Sequence, residues 1–149
     1  MGGAAISVDG RKIDFGKTFT YKGLMYSGVP NLASIFGYTN ASWTLRADLI
    51  CEYVCRLLNT MAEKGVEIAT PRLAEPAMKA EPWLDFSSGY IQRSVAMLPK
   101  QGEKAPWRQN QNYFKDIKEM RKAPIEDAAL EFSTAKAAAT KPALARAAE

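Results

Sequence analysis

Apolar residues recur at intervals of three and four through Trp43, Ala47, Ile50, Val54, Leu57 or Leu58, and Met61. That spacing lines up side chains along one side of an α-helix. Arg46, Glu52, Arg56, Asn59 and Glu63 fall largely on the other side. The pattern predicts one long helix over residues 42–64, with Asn40 or Ser42 accepting a first-turn hydrogen bond as N-cap and Gly65 taking the left-handed position that ends it. Ahead of it, the short apolar run Leu32 to Phe36 reads as a strand, joined to the helix through Gly37-Tyr38-Thr39-Asn40-Ala41. A helix start carries unpaired N–H groups and a partial positive charge, so strand, polar turn and helix in succession suit an anion or an electron-rich ring oxygen. Burying the stripe contributes roughly 1.5–3 kcal/mol per large apolar side chain, provided another layer covers it.

Upstream, Asp9-Gly10 lies between two short runs of strand formers, the pattern of a tight β-hairpin. Residues 18–28 form a further extended segment interrupted at Gly23 and Gly28, and Val29-Pro30-Asn31 reads as a turn in which the Asn31 side chain bonds nearby backbone. Downstream, Pro71, Pro76 and Pro82 argue against any regular element of length between Val66 and Trp83 and for a surface loop. Asp85 to Gly89 reads as the cap of a short helix marked by Tyr90, Ile91, Val95 and Leu98 and stopped by Pro99. A polar loop follows to Pro106. Trp107 to Lys122 then reads as a helix with Tyr113, Phe114, Ile117 and Met120 on one face. From Thr134 the chain is an Ala/Lys-rich tail without large apolar anchors, predicted to fray or stay disordered.

Composition narrows the chemistry. With 149 residues, 47% hydrophobic and 24% charged, the chain is ordinary for a globular protein. No apolar run approaches the roughly 20 residues that span a bilayer, so a cytoplasmic location is the default expectation. The absence of histidine removes Ser-His-Asp and Cys-His nucleophilic arrangements, histidine general bases and histidine-bound metals together. Cys51 and Cys55, one helical turn apart, leave a zinc site incomplete and read as buried, inert thiols. Arg108, Lys115, Lys118, Arg121 and Lys122 beside aromatic residues raise a small basic nucleic-acid binder as an alternative. Asp116 and Glu119 interrupt them, and a solvated basic face on a packed helix is the better reading.

Longer runs are more specific. Tyr21-Lys22-Gly23, Ser27-Gly28-Val29-Pro30-Asn31, the stretch Gly37 to Leu45, Ala47-Asp48-Leu49 and Glu52 to Leu58 closely resemble the C-terminal part of Baeyer–Villiger-type flavin-dependent monooxygenases. The similarity resumes at Asp85-Phe86, Ser88-Gly89-Tyr90, Leu98 to Gly102, Ala105 to Arg108 and Gln111-Asn112-Tyr113, and covers about residues 5 to 133. The resemblance implies an α/β fragment: an N-terminal β-hairpin and strands, one long central helix, then a mainly α-helical C-terminal part. These would be closing elements of a flavoprotein with two dinucleotide-binding domains. Residues 1–65 would supply the closing strands and helix of an FAD-binding domain, 66–133 a helical extension and 134–149 the tail. Gly37, Tyr38, Thr39, Asn40 and Ala41 are the implied flavin neighbours.

The complete enzyme would use FAD and NADPH to insert oxygen into ketones or to oxidise sulfur. This sequence contains no G-x-G-x-x-G loop, and no arginine here takes the family's catalytic role. The chain alone is therefore expected to bind neither cofactor and to be inactive. Its expected partners are the rest of the flavoprotein or another copy of itself, with no metal. A free-standing interaction module, complementing a separately encoded flavoprotein, is the other alternative.

Overall fold

The computed structural model of the protein describes residues 4–74, 78–83 and 93–136. Strands β1 (Ser7–Val8) and β2 (Arg11–Lys12) form the hairpin that Asp9-Gly10 predicts, with both turn residues at positive φ, 50° and 77°. Strands β3 (Thr20–Tyr21) and β4 (Met25–Tyr26) form a second hairpin. Its turn needs Gly23, which has a φ of 67° and lies so close to Arg46 that an added Cβ would sit 2.6 Å from the guanidinium Nη2. Phe15, Tyr26 and Val29, with Ile6, Val8, Ile13 and Leu32 packed around them, make a small apolar cluster beside these hairpins.

Helix α1 spans Trp43–Lys64 and ends on Gly65, whose φ of 63° turns its N–H back to the Met61 and Ala62 carbonyls. Its start departs from expectation. Ser42 is the N-cap residue, but its hydroxyl lies 2.9 Å from that of Thr44 and bonds no backbone N–H, while Asn40 Nδ2 donates to the Gln111 carbonyl at 3.3 Å. The buried face also differs from the predicted stripe. It comprises Arg46, Leu49, Ile50, Tyr53, Leu57 and Met61, whereas Trp43 is 47% exposed. At 3.6 residues per turn the face is turned by roughly 60° from the stripe. The turn brings a charged residue inside.

Leu32–Phe36 is not a strand. It is extended, its residues alternating half-buried and exposed from Leu32 onward, but no strand lies beside it. Among the described residues its single backbone hydrogen bond runs from Ser34 N–H to the Leu24 carbonyl at 2.8 Å. Asn31, at φ 54°, turns the chain toward α1 and pairs with a strand far along the sequence: its N–H and side chain both bond the Ala69 peptide, at 3.0 and 2.9 Å.

That strand is β5 (Ile68–Pro71), which pairs antiparallel with β8 (Leu130–Ser133) in the register Ile68↔Ser133 to Pro71↔Leu130. A surface loop was expected here. Pro71 is tolerated because it closes the strand, where a missing N–H breaks least of the ladder. Strands β6 (Glu81–Pro82) and β7 (Lys100–Gln101) form a fourth antiparallel pair. The described residues beyond 65 are thus a mixture of short strands and one short helix, not mainly helical. The Asp85–Gly89 cap, Tyr90 and Ile91 fall outside the described residues, as does the tail beyond Lys136; Val95–Met97 is a single 3-10 turn before Pro99. Helix α2 covers only Tyr113–Ile117 and continues as a π-helical turn over Lys118–Lys122. Phe114 is 81% exposed, and the buried positions are Asp116 and Met120. Trp107, expected in this helix, instead sits before it in the main core with Tyr21, Leu24, Leu49, Tyr53 and Leu130.

Charged and phenolic groups bind these layers together. Arg46 forms an ion pair with Asp116 of α2, both essentially sealed from solvent, and its Nη2 donates to the Lys22 carbonyl at 3.0 Å. The Tyr38 hydroxyl donates to the same carboxylate at 2.7 Å, with the guanidinium 5.5 Å from the Tyr38 ring centre. Arg56 donates to the Met120 and Ala123 carbonyls and so satisfies the end of the π-helical turn. Below α1, Tyr21 donates to Asp127 at 2.6 Å, and Lys22 pairs with Asp127 at 3.2 Å. Burial pushes the phenols of Tyr21, Tyr26, Tyr38 and Tyr53 upward, Tyr53 to about 12.

Two outcomes are expected. Arg46→Met leaves the Asp116 carboxylate buried without its cation and lowers unfolding free energy by about 3–5 kcal/mol in urea titrations, while adding Asp116→Leu restores a large part of the loss; a single variant as stable as the parent contradicts this. The raised phenols predict the alkaline limit. Folded phenols hold their protons above the unfolded value of about 10, so stability is intact below that pH and falls between about 10 and 12, by up to ~1.4 kcal/mol per pH unit for each tyrosine. Tyr53→Phe should shallow the fall of melting temperature over that window, and a slope unchanged by it would count against the assignment.

Candidate functional site

The turn Gly37–Ala41 is held from both sides before it offers anything to a ligand. Gly37 and Tyr38 are buried, whereas Thr39, Asn40 and Ala41 are exposed. Trp43 folds back over Gly37 so closely that a Cβ there would lie 2.4 Å from the indole Cδ2, which is why only glycine fits. Tyr38 points inward to Asp116, leaving its backbone as the part that faces outward. Thr39 donates through both its N–H and its hydroxyl to Gln111 Oε1, at 3.0 and 3.2 Å. Gln111, at φ 50°, precedes Asn112, whose side chain accepts from Lys115 N–H and caps α2. The five residues implied as flavin neighbours therefore form one turn, braced against α2 and leading into α1.

At the start of α1 no side chain caps the first-turn N–H groups. Trp43 stands half exposed beside them, in edge contact with Phe36 at 4.9 Å between ring centres. Uncapped donors, a helix dipole and an aromatic edge suit part of an anionic, aromatic cofactor such as FAD. They form a rim rather than an enclosure. The two best-formed hollows have volumes of about 220 and 170 Å³, and neither is lined by residues 37–41. Both are smaller than the roughly 300–1,000 Å³ of pockets that hold drug-sized molecules.

Other candidate chemistry is absorbed by the fold. Cys51 and Cys55 are free and exposed, not buried as expected, because both lie outside the arc that Arg46 turns inward. Among the described residues no three His, Cys, Asp or Glu side chains gather as metal ligands. No described helix is long and apolar enough to cross a membrane. In the basic region, Arg108 pairs with Glu81 at 2.8 Å, and Arg121 grips both Glu52 oxygens at 2.5 and 2.7 Å and Asp48 at 3.0 Å. Those two arginines are committed to carboxylates rather than open to phosphate.

The network linking Arg46, Asp116, Lys22 and Asp127 escapes a reading by periodicity, because its members are far apart in sequence and each looks like a surface charge. One signal was present: Arg46 shares the helical phase of Leu49, Ile50, Tyr53 and Leu57. Glu119 stands at the edge of this network, with its carboxyl raised first by burial and further by Asp116, against the pull of Lys22 and Arg46. Asn110 donates to it at 3.1 Å.

No family model matches the chain, and no solved structure does. Curated proteins do. The chain is 47% identical over 138 residues, 93% of its length, to the FAD-containing monooxygenase EthA of Mycolicibacterium smegmatis. It is 47% identical over 133 residues to EthA of Mycobacterium tuberculosis, and 40% identical over 133 residues to the AlmA protein of Acinetobacter baylyi. In each case the chain spans only 27–28% of the relative's length. Long, ordered identity of this depth, running through the turn, α1 and the segments that pack on it, makes this chain a member of the FAD-containing monooxygenase family, matching its C-terminal part.

Proposed function

We propose that the chain is the C-terminal portion of an FAD- and NADPH-dependent monooxygenase that carries out Baeyer–Villiger oxidation of ketones or oxidation of sulfur. The observation that carries this reading is the 47% identity to an FAD-containing monooxygenase across 93% of the chain but only 28% of that relative. Residues 1–65 then serve as closing strands and helix of the FAD-binding domain, 66–133 as a C-terminal extension and 134–149 as a low-complexity tail. Gly37, Tyr38, Thr39, Asn40 and Ala41 border the flavin, through outward-facing backbone and the start of α1. In that role Gly37 keeps the turn tight under Trp43, and the Tyr38–Asp116 and Thr39–Gln111 bonds hold it in position. FAD, reduced by NADPH, supplies the oxygen-transfer chemistry. No residue of this chain is assigned a catalytic role.

The test joins the chain to the portion of the Mycolicibacterium smegmatis relative that precedes the matched stretch. The joined protein is expected to purify yellow with stoichiometric flavin and to oxidise NADPH in the presence of a ketone or thioether, while the 149-residue chain alone is colourless and inert. Stoichiometric flavin in the isolated chain, or none in the joined protein, would overturn the reading. Within the joined protein, Asn40→Asp places a negative charge at the helix start. That favours the helix by ~0.3–1 kcal/mol but repels an anionic cofactor, so FAD affinity should fall roughly tenfold without loss of melting temperature. Unchanged affinity would remove this turn from the flavin's surroundings.

A further inference from the structure

Helix α1 carries more apolar surface than the fold covers. The predicted stripe and the buried face overlap only in part, and the part left over forms a flank of its own. Along it, Trp43 is 47% and Leu58 57% exposed, Cys51 is exposed and Val54 half-buried. Beside this flank runs the extended segment Leu32–Phe36, with Ala33 exposed and Ile35 50% exposed. Ala33, Val54 and Leu58 share the wall of the 220 Å³ hollow between helix and segment. The six residues carry no charge; Asp48, Glu52, Asn59 and Glu63 occupy a different side of α1.

The backbone adds a second signal. Among the described residues, Leu32–Phe36 uses one of its N–H groups and none of its carbonyls in backbone hydrogen bonds. An extended segment with a free row of donors and acceptors is an unpaired sheet edge, and such edges pair when a strand is offered. The face also continues, through the Phe36–Trp43 contact, into the turn that the proposed function sets beside the flavin.

We infer that the flank formed by Ala33, Ile35, Trp43, Cys51, Val54 and Leu58 is the seat of the flavin-holding remainder of the monooxygenase, which lays a strand along Leu32–Phe36 and an apolar layer over α1. The inference rests on the proposed function, and the occupant follows from the same fact: the relatives devote more than two thirds of their length to sequence outside this match. A second copy of the chain would cover the helix flank but offers no reason for the flank to run into the flavin turn.

The native thiols report on the seat directly. In the joined protein described above, Cys51 should be alkylated at least about tenfold more slowly than in the isolated chain, as expected of a group reached only through local opening. Cys55, nearer the charged side of α1, should slow less. Leu58→Glu and Ile35→Lys should lower the melting temperature and flavin content of the joined protein yet leave the melt of the isolated chain unchanged, with Glu63→Lys neutral in both. A joined protein that holds flavin normally but shows fast Cys51 alkylation and tolerates both variants overturns the seat while the proposed function survives. One that holds no flavin overturns both. An isolated chain that dimerises, with the dimer lost in Leu58→Glu, makes a second copy the occupant and likewise overturns the inference.

Discussion

The buried ion pair between Arg46 and Asp116 is the constraint on which the arrangement depends. Taking a guanidinium and a carboxylate out of water is costly, and well-packed apolar side chains in their place are often as stable. The distinctive effect of the pair is therefore selection of an orientation. Helix α1 has a broad apolar arc that could turn either of two overlapping faces inward. Only one of them carries Arg46, and Asp116 is positioned to receive it. The carboxylate also accepts from Tyr38, and the guanidinium reaches the Lys22 carbonyl, so one pair fixes the helix rotation, the β3–β4 turn, α2 and the turn ahead of α1.

This choice has a functional side. Turning Arg46 inward leaves the neighbouring part of the arc uncovered and directs the uncapped start of α1 outward beside Trp43. The turn at Gly37–Ala41 is thereby rigid where it meets the core and open where it meets solvent. A rim of this kind can complete a cofactor site built elsewhere without forming one itself, in keeping with a chain that spans 28% of its flavoprotein relatives.

What could be read from the sequence was local. The Asp9-Gly10 hairpin, the extent of α1 and its stop at Gly65 follow from turn chemistry, periodicity and capping within a few residues of each element. What could not be read was distant. β5 forms because Ile68–Pro71 meets Leu130–Ser133 some sixty residues later, and that ladder outweighs the discouragement of a proline at its end. Arg46 lies inside because of Asp116, seventy positions away, so spacing alone placed it outside. The error over Leu32–Phe36 ran the other way. Its composition suits a strand and its backbone is extended, but a strand needs a neighbour that this chain does not provide. Likewise the predicted stripe on α1 averaged two faces, one covered here and one not. The candidate site was legible as a turn between an apolar run and a helix, while its bracing by Gln111 and Asp116 was not.

The most direct measurement is amide hydrogen exchange across Leu32–Phe36, in the isolated chain and in the same chain joined to the flavin-holding part of a relative. The account expects the amides of Leu32, Ala33, Ile35 and Phe36 to exchange rapidly in the isolated chain and to become strongly protected in the joined protein, while the centre of α1 is protected in both. Equal exchange of this segment in the two proteins would contradict it.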